Sequence, residues 1–534
     1  MTTARSALLF GFALTALLSL LPAAAHAGEF ALRLRSRSPI EPGSNAYTVV
    51  EKPASWDPAK TAVIVCDMWD LHHCKRAVDR GAELTPTMDR VLSKAREAGA
   101  LIIHAPSSCM EAYADHPARK RAQAAPLSKN LPEAIGEWCY KIPAEERGTY
   151  PIDQTDGGED DEPAEHAEWA AKLAAMGRNP KAPWKSQTKG LRIDPERDCI
   201  SDSGTEIWSI LEQRGIDQVV LLGVHTNMCV LGRPFGLRQM AKNGKKVVLM
   251  RDMTDTMYNP AMPPKVSHFA GTDLIIEHIE KFVCPTITSD QILGGKPFRF
   301  ANDRRPRIAL VIGDDEYRTE TTLPAFAAAD LIRKEFQVEH VFASESDKND
   351  FPNVAAIDAA DLLVISTRRR FPRAEQLAAI RAHVAAGKPI VGIRTASHAF
   401  ATRSGQAVPP GHAAWNEFDP EILGGHYVGH HGVGPKTRIT RAEKAGDHPI
   451  LAGIDVDAFV GNGSLYRVAP LAGSATPLLI GTIDGKPSEP IAWIHRSPAG
   501  GKVFYTSLGH PDDFADPNFR RLLGNALSWA ALRD

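Results

Sequence analysis

Val219-Val220-Leu221-Leu222-Gly223-Val224-His225-Thr226-Asn227-Met228-Cys229-Val230 decides how the first half of the chain is read. Four consecutive apolar residues ending in Gly223 predict a buried parallel strand. The run Cys229–Asn243, apolar at Val230, Leu231, Leu237 and Met240, predicts a helix that follows at once and puts Cys229 at a strand-to-helix corner. Unsatisfied amides and the positive end of a helix dipole favour thiolate over thiol at such a corner. The same amides suit an oxyanion. A buried structural cysteine is the competing reading, since that is the usual fate of a free thiol.

Working outward, Thr61-Ala62-Val63-Ile64-Val65-Cys66-Asp67 is a second buried strand that ends in a carboxylate. An acid at a strand's C-terminal end lies on the face where open α/β sheets place their sites. Asp67 is therefore the expected acceptor of the Cys229 proton. Val247-Val248-Leu249-Met250-Arg251-Asp252 supplies the next strand.

Asp67, the Gly-Val-His-Thr-Asn-Met-Cys-Val elbow and that following strand together resemble the isochorismatase-like cysteine hydrolases, the family that includes nicotinamidase, over about residues 60–285. The resemblance implies a three-layer α/β/α fold, a Cys-Asp-Lys triad and a cis peptide at Val224–His225. His225, Thr226 and Asn227 of the elbow are candidate substrate-binding residues, with Trp69 and His72. Two departures stand out. The family's lysine belongs shortly before helix Thr205–Arg214, yet Asp198–Gly204 contains none; Lys185, which follows Trp184, and then Lys189 are the nearest candidates. The family's metal site needs Asp-x-His after the second strand, where this chain has His104-Ala105-Pro106-Ser107-Ser108-Cys109. No metal and no cofactor are expected.

The 534 residues, 43% hydrophobic and 24% charged with a net charge of −2, predict a globular chain of several domains. No basic stripe suggests a nucleic-acid partner. Residues 1–27, with Arg5, an apolar run Ala7–Leu21 and Ala25-His26-Ala27, read as a secretory signal peptide. The mature chain is thus expected to be exported, to the periplasm or beyond, without a membrane span. Its expected partner is a small-molecule substrate, with self-association into a homo-oligomer left open. The seven cysteines all precede residue 285, an odd number that leaves at least one unpaired within a chain.

Trp69-Asp70-Leu71-His72-His73-Cys74 places Trp69 and His72 as candidate pocket residues; adjacent histidines make a weak zinc site without further ligands. Residues 140–188 form an insertion with an acidic run, Asp156–Glu162, and a helical piece at Ala164–Met176. Long insertions in compact domains are often functional, so a lid near the pocket is expected. The first domain is assigned to residues 45–290, and residues 291–306, rich in Pro, Gly and Arg, to a linker.

A second α/β domain, 307–534, opens on the buried strand Arg307–Gly313 and alternates strands with helices, which implies a mostly parallel sheet. Gly392-Ile393-Arg394-Thr395-Ala396-Ser397-His398, Phe418–Tyr427 and Val503–His510 resemble the ThuA-like (trehalose-utilisation) domains, which share the class I glutamine amidotransferase fold. The resemblance implies a sugar pocket lined by His398, His426, His430 and His510. No cysteine follows Cys284, so thiolate glutaminase chemistry is excluded. Ser397 beside His398 is not expected to form a catalytic pair, being its immediate neighbour in the chain. Two functions compete: an exported cysteine hydrolase of a small amide, or a binding protein that keeps both folds without the chemistry.

Overall fold

The computed structural model describes residues 28–40, 42–43 and 47–532. The expected signal peptide, residues 1–27, lies outside the described residues. Two mixed α/β sheets form in separate domains. The first has eight strands in the order Tyr47–Trp56, Phe30–Pro39, Thr286–Ile287, Lys246–Asp255, Gln218–Val224, Thr61–Cys66, Leu101–Ala105 and Cys199–Ile200. From Thr286 onward all neighbours run parallel, while the first two strands form an antiparallel hairpin with Phe30 opposite Trp56. The three strands read from sequence lie side by side at its centre, with their apolar runs buried as continuous apolar runs should be.

That hairpin corrects the boundary at residue 45. Phe-Ala-Leu-Arg-Leu-Arg alternates with period two, and Phe30 and Leu32 turn into the core formed with Met88, Val91 and Met250. The stretch 291–306 is likewise not a free linker. It continues a short helix, Asp290–Leu293, and packs Phe298 and Phe300 against the same core.

The second sheet has nine strands, ordered Gln337–Phe342, Arg307–Gly313, Leu362–Thr367, Ile390–Ile393, Lys502–Thr506, Glu489–Arg496, Thr476–Thr482, Thr437–Arg441 and Val460–Gly461. Its first five strands are parallel and its last four antiparallel, so the expectation of a mostly parallel sheet holds for only half of it. Short turns such as Asp484-Gly485 return the chain as hairpins where no helix intervenes. Apolar clusters cover both faces of each sheet.

The domains meet through paired charges. Glu339 takes Arg35 at 3.1 Å and Arg251 at 3.2 Å, Arg305 reaches Asp273 at 2.8 Å, and the Ser267 amide donates to Glu335 at 2.9 Å. No helix among the described residues is long and apolar enough to cross a membrane.

Candidate active site

The central strands deliver their C-terminal ends to one point. Asp67, directly after Thr61–Cys66, is fully buried with φ +46°, a left-handed conformation that an Asp adopts at some cost. Its Oδ1 accepts the Ser107 amide at 2.7 Å and its Oδ2 accepts Arg233 Nε at 3.1 Å. Gly223, one strand over, has φ +108°, and a Cβ there would stand 2.0 Å from the Cys66 carbonyl oxygen. Only glycine lets this strand approach its neighbour so closely. The peptide Val224–His225 that follows is cis, as the resemblance implies.

The elbow differs from the expected strand-to-helix corner. Thr226–Val230 is a single π turn, and Pro234 interrupts the chain before the short helix Leu237–Lys242. Cys229 lies inside that turn rather than at the start of a long helix, so little macrodipole acts on it. Its thiol stands against the Asp67 carboxylate and Arg233, whose charges both act on it. Burial, and then the Asp67 charge, push the thiol well above the ordinary cysteine range, overturning the expectation of a dipole-favoured thiolate. Burial also raises Asp67, with Arg233 opposing it. The resting arrangement is a neutral thiol against a carboxylate made more basic than usual.

Arg233 is the residue that sequence reasoning missed. Its amide donates to the Cys229 carbonyl at 3.0 Å, so thiol and cation sit one turn apart on the same face. The guanidinium rests over the Trp138 ring, 5.3 Å from the centroid. Lys185 does not take this place. It is exposed and gives only its backbone amide to Asp70, at 2.9 Å, and Lys189 is exposed as well. The i, i+4 spacing of Cys229 and Arg233 was the available signal.

Around this centre, Trp69 stacks on Trp184 at 4.5 Å and on His72 at 5.9 Å, and His72 meets the edge of His225 at 4.8 Å. Asp67, Trp69, His72, Val224, His225 and Thr188 border one small cavity; Asn227 and Met228 face a second, walled by Trp138 and Tyr150. Burial drives His72 well down and His225 down to about 4, so both rings are neutral near pH 7. The polar atoms of Thr226 and Asn227 are engaged. Thr226 Oγ1 pairs with Thr254 Oγ1 at 2.7 Å, while Asn227 donates to Gln154 and Met257 and accepts from the Met257 amide. These two side chains fix the elbow in place.

The insertion packs over the loop after Asp67. Trp169 Nε1 donates to the His72 carbonyl at 2.9 Å, and Asp70 accepts the amides of Lys185 and Ser186 and the Arg178 guanidinium. Arg80 clamps the acidic run, gripping Asp160 with two nitrogens at 2.8 and 3.0 Å and Asp255 at 2.8 Å. Cys74, Asp160 and Asp161 bring ligand atoms within 4.8 Å of one another, as do Glu159, Asp161 and His166. Those groups could hold a metal, but Asp161 already caps the helix Lys75–Ala98 through the amides of Lys75 and Arg76. His104 spends both ring nitrogens on Gln187 and Asp198. All seven cysteines are buried and free.

In the second domain, the position of the amidotransferase cysteine belongs to Arg394, buried at φ +44°. His398 is buried and stacks on Tyr427 at 4.5 Å, and His510 stands beside Tyr317 with ring centroids 6.1 Å apart. His426 and His430 are exposed, and His430 turns its Nδ1 to the His431 carbonyl. The structure thus gathers His398, Tyr427, Tyr317 and Arg394, rather than four histidines. Ser397 Oγ does reach His398 Nδ1, at 3.1 Å, contrary to expectation; the ring turns back over its own backbone, and the hydroxyl also lies 3.3 Å from the Arg394 carbonyl.

Comparison with known proteins follows this division. The isochorismatase domain model matches residues 164–263, which include Cys229 and Arg233 but not Asp67, and the trehalose-utilisation (ThuA) model matches residues 308–530. A ThuA-like protein of Parabacteroides merdae aligns at 16% identity and TM-score 0.31, over 43% of this chain and 90% of its own. A cysteine hydrolase of Pseudomonas syringae pv. phaseolicola aligns at 17% identity and TM-score 0.27, over 45% and 93%. N-carbamoylsarcosine amidase of Thermoplasma acidophilum aligns at 14% identity and TM-score 0.20, over 36% and 83%. No curated protein matches the chain.

Proposed function

We propose that the first domain hydrolyses a carbon–nitrogen bond, an amide, in a small molecule, with Cys229 as nucleophile, Asp67 as base and then acid, and Arg233 in the place of the family lysine. The observation that carries this reading is the buried Cys229 thiol set against a buried carboxylate that is itself paired with a guanidinium.

As Cys229 Sγ bonds to the carbonyl carbon, its proton passes to Asp67 and the carbonyl electrons move to oxygen, which the elbow amides receive. The oxyanion collapses, the C–N bond breaks, and the departing amine takes the proton from Asp67. Water then attacks the thioester while Asp67 accepts its proton. The C–S bond breaks and the thiol recovers the proton. A neutral resting thiol suits this route, because proton transfer accompanies attack. Trp69, His72 and His225 border the substrate's apolar part, and the insertion keeps bulk water away. We place the mature protein outside the cytoplasm, where the seven buried thiols are shielded from pairing.

One observation favours the alternative, a ligand-binding protein: a guanidinium occupies the second domain's elbow. A panel of small amides, read by ammonia or amine release from wild type and Cys229→Ala, decides between them. Release that depends on Cys229 supports the hydrolase; release by neither protein leaves binding as the reading.

A further inference from the structure

The second domain's sheet changes direction at one place. The chain leaves Arg307–Gly313 for Gln337–Phe342 on one side and then crosses to Leu362–Thr367 on the other. Open α/β sheets bind ligands in the crevice outside the strand ends at such a switch point. Here that crevice receives Arg368-Arg369-Arg370, with the Arg368 amide 3.3 Å from the Gly313 carbonyl.

The three arginines are not equivalent. Arg368 pairs with Glu316 at 2.6 Å and Arg370 with Asp315 at 2.7 Å. Arg369, held at φ +50°, gives its amide to the His398 carbonyl at 3.1 Å, which lays it against the loop 398–403 that carries Arg403. Among the described residues no carboxylate forms an ion pair with Arg369, Arg394 or Arg403. Arg394 lies buried between Tyr317 and Tyr466, 4.1 and 4.6 Å from their ring centroids, and spends its terminal nitrogens on Ser507, Tyr317 and Ser464. Tyr427 continues the aromatic wall, 4.7 Å from Tyr466 and 4.5 Å from His398.

All four guanidiniums, Arg368, Arg369, Arg394 and Arg403, bear on His398, whose ring burial and these charges depress to about 3. The acids beneath do not cancel them. Asp314 accepts Thr395 Oγ1 at 3.0 Å and is raised by burial, and Asp419, pushed up to about 7, leaves Oδ1 without a partner. Arg369, Arg394 and Arg403, brought close without carboxylate partners, carry a repulsive cost that an anion relieves, and their planar forks match carboxylate and phosphate.

We propose that this cleft binds a small organic anion, a carboxylate or a phosphate monoester on a ring-sized body, with the charged group on Arg369 and Arg403 and the body against Tyr427. The site is in the other domain from Cys229, so its failure and that of the hydrolase reading are separate results.

Titration calorimetry on the full chain with glucuronate, glucose 6-phosphate and neutral glucose tests it. Either anion is expected to bind at least about tenfold more tightly than glucose, and Arg369→Gln and Arg403→Gln are each expected to weaken that binding about tenfold or more. Arg403 is exposed, so its variant reports even where Arg369→Gln misfolds. Which anion saturates tells carboxylate from phosphate. Glucose binding as tightly as both anions, no saturation by either anion up to about 10 mM, or anion binding unchanged in the folded Arg403→Gln variant would overturn the proposal.

Discussion

Arg233 Nε lies 3.1 Å from Asp67 Oδ2, and the same arginine donates its backbone amide to the Cys229 carbonyl one turn back. The cation therefore holds Asp67 and is itself positioned by the backbone of Cys229. An opposite charge this close lowers a carboxyl pKa by about 1–3. Arg233→Gln is expected to let the buried Asp67 carboxyl rise further. The acid limb of kcat/KM against pH should then move up by about 1–3 on the pH scale. Arg233→Lys should restore most of that limb. An acid limb unmoved in Arg233→Gln would remove Arg233 from the proposed triad.

Cys229→Ala and Cys229→Ser should each cut amide hydrolysis by about a thousandfold or more while leaving the melting temperature close to wild type. Labelling gives an independent measure. Peptide mapping after iodoacetamide treatment should find Cys229 modified faster than Cys66, Cys199 and Cys284, which are also buried. Asp67→Asn is expected to slow Cys229 labelling near pH 7, because the proton then has no acceptor. Equal and slow labelling of all four thiols in both proteins would leave Cys229 an inert core residue.

How much of this was legible follows from the kind of signal each residue carries. The central strands announced themselves as continuous apolar runs, and Asp67 and Cys229 followed from standing at their ends. Arg233 did not, because its role depends on a turn geometry that Pro234 sets and that a smooth helix pattern through residue 243 conceals. The Phe30–Trp56 hairpin was readable as alternation, yet its partner, Thr286, lies about 250 residues away in sequence. Tyr317, Tyr427 and Arg394 come from three separate loops, so only the sheet's crossover brings them together.

Arg80 joins Asp160 of the insertion to Asp255 of the sheet, all three nearly fully buried. Removing one partner of a buried charge set strands the others, at a cost of about 3–5 kcal/mol. Arg80→Met should lower stability by about that amount, as measured by urea denaturation. Arg80→Met with Asp160→Asn should recover part of it. A loss below about 1 kcal/mol, the worth of an exposed pair, would show that the clamp is solvated.

Acid should unfold the protein through specific carboxylates. Glu145, held by His278 and Arg238, and Glu280, held by Arg35 and Arg37, are both pulled down to about 2 against their burial. A carboxyl whose folded pKa lies below its unfolded value stabilises the fold above the unfolded pKa and loses that contribution as pH falls toward the folded one. Stability is therefore expected to drop between about pH 4.5 and pH 2, each group losing about 1.4 kcal/mol for every tenfold by which folding weakens its hold on a proton. Glu280→Gln should flatten part of that slope while lowering stability at pH 7. A slope identical to wild type would mean that Glu280 is not held in the charged form.

Glu339 is the charge on which the two domains converge, taking Arg35 and Arg251 from the first while standing on a strand of the second. Fragments 28–306 and 307–534 are each expected to fold, since each holds its own sheet and its own buried clusters. The full chain should nevertheless melt above either fragment, because separation strips partners from Arg35, Arg251 and Glu335 at once. Arg35 keeps Glu280 in a separated domain, at 2.7 Å, so the cost falls mainly on Arg251 and Glu339. Glu339→Gln should therefore lower the full chain's melting temperature and leave the midpoint of fragment 307–534 nearly unchanged. Calorimetry of the five proteins checks this. A variant effect as large in the isolated fragment as in the full chain would place Glu339's contribution inside its own domain, and the interface would then owe its hold to contacts such as Ser267–Glu335.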